Sequence, residues 1–337
     1  MACHRSSRIF QVHPTRLCNL RCLHCYSASG PEERGELSIA LLRDAVSDAA
    51  AQGYGVMSVS GGEPLLYRPL RELLDHAHAC GMVTTVTSNG MLLDDHRLET
   101  LRGAVDLLAL SLDGVPESHD RMRADRRAFS TLASRLPGIR SSGIPFGFIF
   151  TLTQHNLHEL EWVAQFALAS GARLLQIHPL EKAGRAAQEL DAERPDGIES
   201  AYALLLACRL QEELGDRLHV QLDLVSRGGL ASDPDHYSAG TTTAAPDAPL
   251  ADLVSVLVVE ADGSVVPLEH GFAPDLRLGN LHQARLRDLV APWRRDRYPR
   301  LQDLCRTAKD DCARQEIPVA CWSEALRQAQ AGASTPP

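Results

Sequence analysis

Between residues 8 and 179 short apolar runs recur at intervals too long for hairpins: RIFQVH (8–13), VMSVS (56–60), VTTVTS (83–88), LLALSL (107–112), FGFIFTL (146–152) and RLLQIHP (173–179). Amphipathic stretches fill the gaps, and the spacing predicts helices such as SIALLRDAVSDAAAQG (38–53) and RPLRELLDHAHACG (68–81), each closed by a glycine. Strands that alternate with helices must pair in parallel, because each crossover has to pack a helix back on the sheet. The fold class is therefore α/β. Right-handed crossovers repeated this way give an open doubly wound sheet or a barrel, complete or partial, and alternation does not choose between them.

The chain has 337 residues, enough for one large α/β domain or a main domain with a smaller appendage. A further helix is expected over 198–216 and a strand over 219–225, followed by a long Gly/Ser/Thr/Pro/Asp-rich loop at 226–252. Beyond it, LVSVLVVEADGSVVPLE (253–269) reads as a β-hairpin turning at Asp262-Gly263. We place a boundary near residue 235, giving units 1–235 and 236–330 and a frayed tail at 331–337. Lys plus Arg number 34 against 43 Asp plus Glu, a balance of −9 that points away from a nucleic-acid partner. No apolar run approaches the roughly 18 residues of a membrane span, and the N-terminus lacks a signal-peptide core, so no membrane partner and a cytoplasmic location are expected. Nine cysteines in such a chain suggest metal or catalysis before disulfides.

Three of those cysteines fall in LCNLRCLHCYS (17–27): Cys18, Cys22 and Cys25, just after the first strand. Three thiolates can hold a four-iron cubane that leaves one iron open; with His24 or His13 they could instead close a zinc site. Polar groups also collect at successive strand ends. VSGGEPLL (59–66) offers Gly61, Gly62, Glu63 and Pro64, TSNG (87–90) offers Ser88 and Asn89, and SLDG (111–114) offers Ser111 and Asp113. Paired glycines let a ligand approach the backbone closely, and Glu63 can take a bond from a cationic amine. The other groups suit hydroxyls and a carboxylate. Ligands bind at this C-terminal edge in parallel α/β folds.

Taken together, CNLRCLHC, SGGEPLL, TSNG and SLDG resemble the radical S-adenosylmethionine (SAM) enzymes over about residues 9–180. The resemblance implies a partial (β/α)6 TIM barrel holding a [4Fe–4S] cluster on Cys18, Cys22 and Cys25. SAM would chelate the open iron, and a one-electron reductant such as flavodoxin or ferredoxin would drive its cleavage to a 5′-deoxyadenosyl radical that abstracts hydrogen from the substrate. By the same resemblance Tyr26 would lie near the adenine, and Gly61, Gly62 and Glu63 would hold the methionyl amine with Pro64 shaping the turn. Ser88 and Asn89 would sit by the carboxylate or ribose, and Ser111 and Asp113 by the ribose. Thr151, Thr153 and Ile177 to Pro179 would border the adenine. Arg123 matches a position that can approach SAM, or is simply exposed.

The C-terminal region resembles a SPASM/twitch extension through its hairpin, LGNL (278–281) and late cysteines, which makes it a small α+β cap. Leu268 and Glu269 stand where that family usually has a cysteine, so Cys305, Cys312 and Cys321 either hold one auxiliary Fe–S cluster or are buried thiols in a degenerate cap. Cys80 and Cys208 read as core residues, and the Arg-rich run 285–300 as a solvated face. The resulting expectation is modification of a ribosomally made peptide. The alternatives are a small-molecule substrate (sugar, nucleoside or tetrapyrrole-type precursor) and a non-enzymatic Fe–S or zinc protein.

Overall fold

The computed structural model describes residues 8–232, 248–314 and 319–333. Strands β1 (Ile9–Val12), β2 (Val56–Val59), β3 (Val83–Ser88), β4 (Leu107–Ser111), β5 (Phe146–Leu152), β6 (Leu174–Pro179) and β7 (His219–Leu222) stand side by side in chain order, each parallel to the next. This order decides what alternation leaves open. A doubly wound sheet reverses its strand order at a switch point, whereas here the winding never doubles back. The result is the partial barrel.

Helices α1 (Ile39–Ala51), α2 (Leu70–Ala79), α3 (Asp95–Leu101), α4 (Pro116–Arg123), α5 (Ala128–Ser142) and α6 (Leu160–Ser170) fill the crossovers, with α7 (Ala186–Glu189) and α8 (Gly197–Leu214) between β6 and β7. Their ends follow local chemistry. Ser38 and Asp94 accept backbone N–H bonds at the starts of α1 and α3, and Asp196 with Glu199 forms a capping box on α8. Gly143 and Gly171 close α5 and α6 in the left-handed conformation.

After β8 (Val225–Ser226), α9 (Arg227–Ser232) and α10 (Leu250–Leu253), the hairpin forms as expected from β9 (Val256–Val259) and β10 (Ser264–Pro267). It does not stand apart from the barrel. β9 pairs in parallel with β1 on the side away from β2, and β11 (Gly279–Asn280) pairs with β10, so ten strands make one sheet. Next come α11 (Leu286–Asp296), α12 (Tyr298–Arg314), β12 (Val319–Ala320), which pairs with β8, and α13 (Trp322–Ala333). One hydrophobic core runs from Phe10 through the barrel to Leu326 and Ala329. Trp293 is buried, its Nε1 donating to the Leu276 carbonyl at 2.7 Å, and Arg285 reaches Asp48 on α1 at 2.9 Å.

Several expectations need correction. The loop foreseen at 226–252 holds α9 and α10 at its two ends, and the boundary placed near 235 lies outside the described residues. The tail foreseen at 331–337 is helical to Ala333. Cys208 is exposed, because α8 turns Ala203, Leu206, Ala207 and Leu210 inward and leaves Ile198, Tyr202 and Leu205 outside. Its apolar residues ring more than one face, so sequence alone could not select the buried one. The Arg-rich run is not wholly solvated, since Arg285 anchors α11 to α1. Cys305 and Cys312 are buried on α12 in the shared core, as the buried-thiol reading has it. Among the described residues no helix is long and apolar enough to cross a membrane.

Tyr54 ties the barrel to the C-terminal part through a buried bond from its hydroxyl to the Val254 carbonyl, 2.8 Å. Tyr54→Phe should lower the unfolding free energy by about 1 kcal/mol in chemical denaturation. An unchanged midpoint would mean that this contact does not hold the two parts together.

Candidate active site

The loop after β1 carries Cys18, Cys22 and Cys25, and backbone bonds pin it from within: Cys18 N–H to Gly30 O (3.1 Å) and Gly30 N–H to Arg16 O (3.2 Å). Cys18 and Cys22 are buried, with Leu20 between them and Cys25 and Met91 packed alongside. Burial pushes the Cys18 thiol up to about 12, with the neighbouring Glu63, Cys22 and Cys25 adding to the shift. Cys22 is likewise raised by burial, against the pull of Arg123. Buried thiols of this kind keep their protons until a metal supplies the charge that favours the thiolate, and three of them without a fourth suit an iron–sulfur cluster with one open iron. The other described cysteines lie elsewhere: Cys80 beside Ser47 and His76, Cys208 exposed on α8, Cys305 and Cys312 in the core, and Cys321 against Ser323. Among the described residues no group of three or more His, Cys, Asp or Glu is gathered closely enough for a single metal ion.

The paired glycines also pack the chain against itself. Gly62 N–H donates to Thr15 O and Glu63 N–H to Leu17 O, both at 2.9 Å, so the segment after β2 lies directly on the cysteine loop. A Cβ on Gly62 would fall 2.2 Å from Leu17 O, and one on Gly61 2.9 Å from His13 Cβ. The close approach is therefore to the protein's own loop. Pro64 opens a single 3₁₀ turn, as the shaping role required. Glu63 is buried and accepts from Leu65 N–H (3.2 Å), Ser88 Oγ (2.9 Å) and Asn89 N–H (3.0 Å), which raises no conflict with an amine, since a carboxylate offers about four acceptor positions. The Asn89 side chain in turn donates to Asn19 Oδ1 at 2.8 Å, back on the cysteine loop. Ser88 and Asn89 thus face Glu63 and Asn19 rather than open space.

Asp113 is also enclosed. It is fully buried and receives Arg123 Nε at 2.7 Å, with His24 and His119 nitrogens at 3.7 and 3.8 Å. Burial alone would raise its pKa; Arg123, with the two histidines, holds it at about 2. Burial lowers His24 to about 4 and His119 to about 3, so both stay neutral and Arg123 is the counter-ion. Arg123 is buried, not exposed, and its Nη1 reaches Cys22 Sγ at 3.8 Å. Asp113, the residue expected by the ribose, thus stands in a buried ion pair beside the cysteine loop. Ser111 is buried at the same strand end.

Two of the expected ligand-facing residues, Tyr26 and Gly61, line a cleft; Tyr26 is 38% exposed, and its hydroxyl bonds Ser60 Oγ at 2.9 Å. Tyr26 and His270 border two openings, of about 260 and 330 Å³. His13, Tyr26 and His270 form a ring cluster with centroids 5.0–5.7 Å apart. Thr151 gives its carbonyl to Asn156 Nδ2 (2.8 Å), and the Ile177 side chain is in the core, so only backbone there could border a ligand. His178 pairs with Asp223 at 2.7 Å, while Thr153 and Pro179 are buried. Asn19, Ser60, Asn156 and Arg185 all hold this edge together and were not singled out from the sequence. Asn19, next to Cys18, and Ser60, next to Gly61, had a positional hint.

Residues 12–167 match the family model of the Radical SAM superfamily. This segment belongs to the radical SAM superfamily. Among curated proteins, the chain is 34% identical to Fe-coproporphyrin III synthase of Methanosarcina barkeri over 43% of this chain and 37% of that one. It is 30% identical to PqqA peptide cyclase of Ruegeria pomeroyi (66% and 58%) and 27% identical to the sporulation killing factor maturation protein SkfB of Bacillus subtilis (83% and 64%). The chain thus spans between about a third and two thirds of the length of these relatives. Its fold is that of Streptococcus suis SuiB in the structure bound to S-adenosylmethionine, with a TM-score of 0.70 at 13% identity over 89% of this chain and 68% of that one. The radical SAM segment ends before β6, so the strands beyond it rest on the fold likeness.

Two outcomes follow for the radical SAM segment. Gly62→Ala drives a methyl into the Leu17 carbonyl and should cost about 3 kcal/mol, together with most iron binding; unimpaired iron content would overturn the seam. Asp113 contributes stability fully above its ordinary 3.8 and loses it as pH falls toward about 2. Asp113→Asn should therefore flatten the acid limb of a stability–pH curve in that window, and an equally steep limb would contradict the buried pair.

Proposed function

We propose that this chain is a radical SAM enzyme: Cys18, Cys22 and Cys25 hold a [4Fe–4S] cluster whose open iron takes SAM. The observation that carries the reading is the trio of thiols without a fourth, on a loop locked to the strand ends beside the Tyr26 cleft. A cluster held there would supply one-electron chemistry: with an electron from a reductant such as flavodoxin or ferredoxin, SAM would be cleaved to methionine and a 5′-deoxyadenosyl radical able to take a hydrogen atom from the substrate. The protein's own part is to place and shield. Glu63 keeps an acceptor position for the methionyl amine, Tyr26 offers its ring to the adenine, and Arg123 balances charge between Asp113 and Cys22. Exclusion of water and oxygen falls to the C-terminal part.

We read residues 236–330 as a degenerate SPASM-like cap without an auxiliary cluster, supported by the β9–β10 hairpin, β11 and the buried Cys305 and Cys312. The substrate we favour is a ribosomally made peptide, and the location cytoplasmic. The likeness to PqqA peptide cyclase and to SkfB extends over 66% and 83% of this chain. The likeness to Fe-coproporphyrin III synthase covers 43% of this chain. A tetrapyrrole-type substrate is the second reading on the strength of that 34% identity.

Anaerobically reconstituted protein should carry about four iron and four sulfide per chain and release 5′-deoxyadenosine with dithionite and SAM. Cys18→Ala, Cys22→Ala or Cys25→Ala should abolish both. No 5′-deoxyadenosine from iron-loaded wild type would sink the enzymatic reading. Turnover stimulated by a coproporphyrin but by no precursor peptide encoded beside the gene would move the substrate to the second reading.

A further inference from the structure

One residue far from the cysteine motif grips it more fully than any neighbour does. Arg185 follows β6 and immediately precedes α7. Its backbone N–H donates to Cys25 O at 2.9 Å, its Nε to Cys22 O at 2.8 Å and its Nη2 to Ser29 O at 2.5 Å. Three carbonyls across the second half of the loop, two of them on cysteines, thus end on a single side chain and its amide. Gly184 brings this segment in to backbone contact: its φ is +53°, and a Cβ there would lie 2.2 Å from Tyr26 O and 2.4 Å from Cys25 O. The other end of the segment is anchored too. Glu181 accepts from Ser323 Oγ and pairs with Arg327 of α13 at 3.3 Å, while Lys182 O accepts from Arg327 Nη1 at 3.3 Å.

The loop needs such a grip because it is neither helix nor strand. Within it, Cys22 O accepts only a long bond from Cys25 N–H, 3.4 Å. Its carbonyls must therefore find donors elsewhere or leave the loop with several conformations. A guanidinium carries five donors in a rigid fork and can serve carbonyls pointing in different directions at once; an ammonium is a single point donor on a flexible stem.

We infer that Arg185 is a positioning residue for the cluster, fixing with Gly184 the backbone that carries Cys22 and Cys25. This rests on the cluster assignment above. Arg185 touches no thiol, so its effect is on how tightly the loop keeps iron rather than on the chemistry of the iron itself. Outer-shell partners of this kind typically alter metal retention by 10–100-fold.

The test compares wild type, Arg185→Gln, Arg185→Lys and Lys182→Gln after anaerobic reconstitution. Iron and sulfide per chain are measured, then the rate of iron loss to excess chelator, at a temperature where circular dichroism shows each protein folded. Lys182 lies on the same segment and its ammonium pairs with Asp191 at 2.8 Å, away from the cysteine loop, so it controls for disturbance of the segment itself. Arg185→Gln should lose iron on the order of tenfold faster than wild type, Arg185→Lys should fall between, and Lys182→Gln should match wild type. If Arg185→Gln does not fold, the ordering of Arg185→Lys against Lys182→Gln decides. Wild-type retention in both Arg185 variants, or equal loss in Lys182→Gln, overturns the inference and leaves the cluster assignment intact. Failure of wild type itself to load iron overturns the assignment and the inference together.

Discussion

Everything at the barrel mouth depends on a backbone seam in which Gly62 and Glu63 donate to the carbonyls of Thr15 and Leu17. No side chain fits between the two strands of that seam. Once it forms, Glu63 is carried to where Ser88 and Asn89 can bind it, and Asn89 returns the connection to Asn19 on the cysteine loop. The ends of β1, β2 and β3 are joined in a closed circuit of polar contacts. A loop with no regular structure of its own thereby acquires the definition that metal ligation needs.

Charge is settled by a second circuit. Asp113, at the end of β4, would be costly if buried alone, and Arg123 from α4 compensates it while reaching Cys22. His24 and His119 remain neutral beside the pair, so one cation serves one carboxylate. Asn156 then fastens β4 to β5 by donating to the carbonyls of Asp113 and Thr151 at 3.0 and 2.8 Å. Five successive strand ends are linked through side chains, and the opening left beside Tyr26 is what the linkage does not fill.

The sheet was legible in the sequence because each strand is a short apolar run and each helix carries a terminal signal, as at Ser38, Asp94 and Asp196. The cysteine trio stands out in the sequence because its members lie within eight residues. Roles that depend on distant partners were not legible. The contact of Gly62 with Leu17 and the pairing of Asp113 with Arg123 both join segments that no local pattern connects. Arg185 has no local signature, since its partners lie more than 150 positions upstream. Cys208 was misassigned because α8 has more apolar residues than buried positions, leaving Leu205 70% exposed. The hairpin was visible at Asp262-Gly263, but its pairing with β1 joins residues about 250 apart and no local pattern encodes it.

The account turns on one iron being left open to SAM. The direct measurement is the electron paramagnetic resonance spectrum of the dithionite-reduced, reconstituted protein, recorded with and without SAM. A site built from three thiolates predicts a reduced [4Fe–4S] signal whose g-values shift when SAM binds the open iron. A signal that SAM leaves unchanged would contradict it, because a fully ligated cluster, or one out of reach of the cofactor, would give that result.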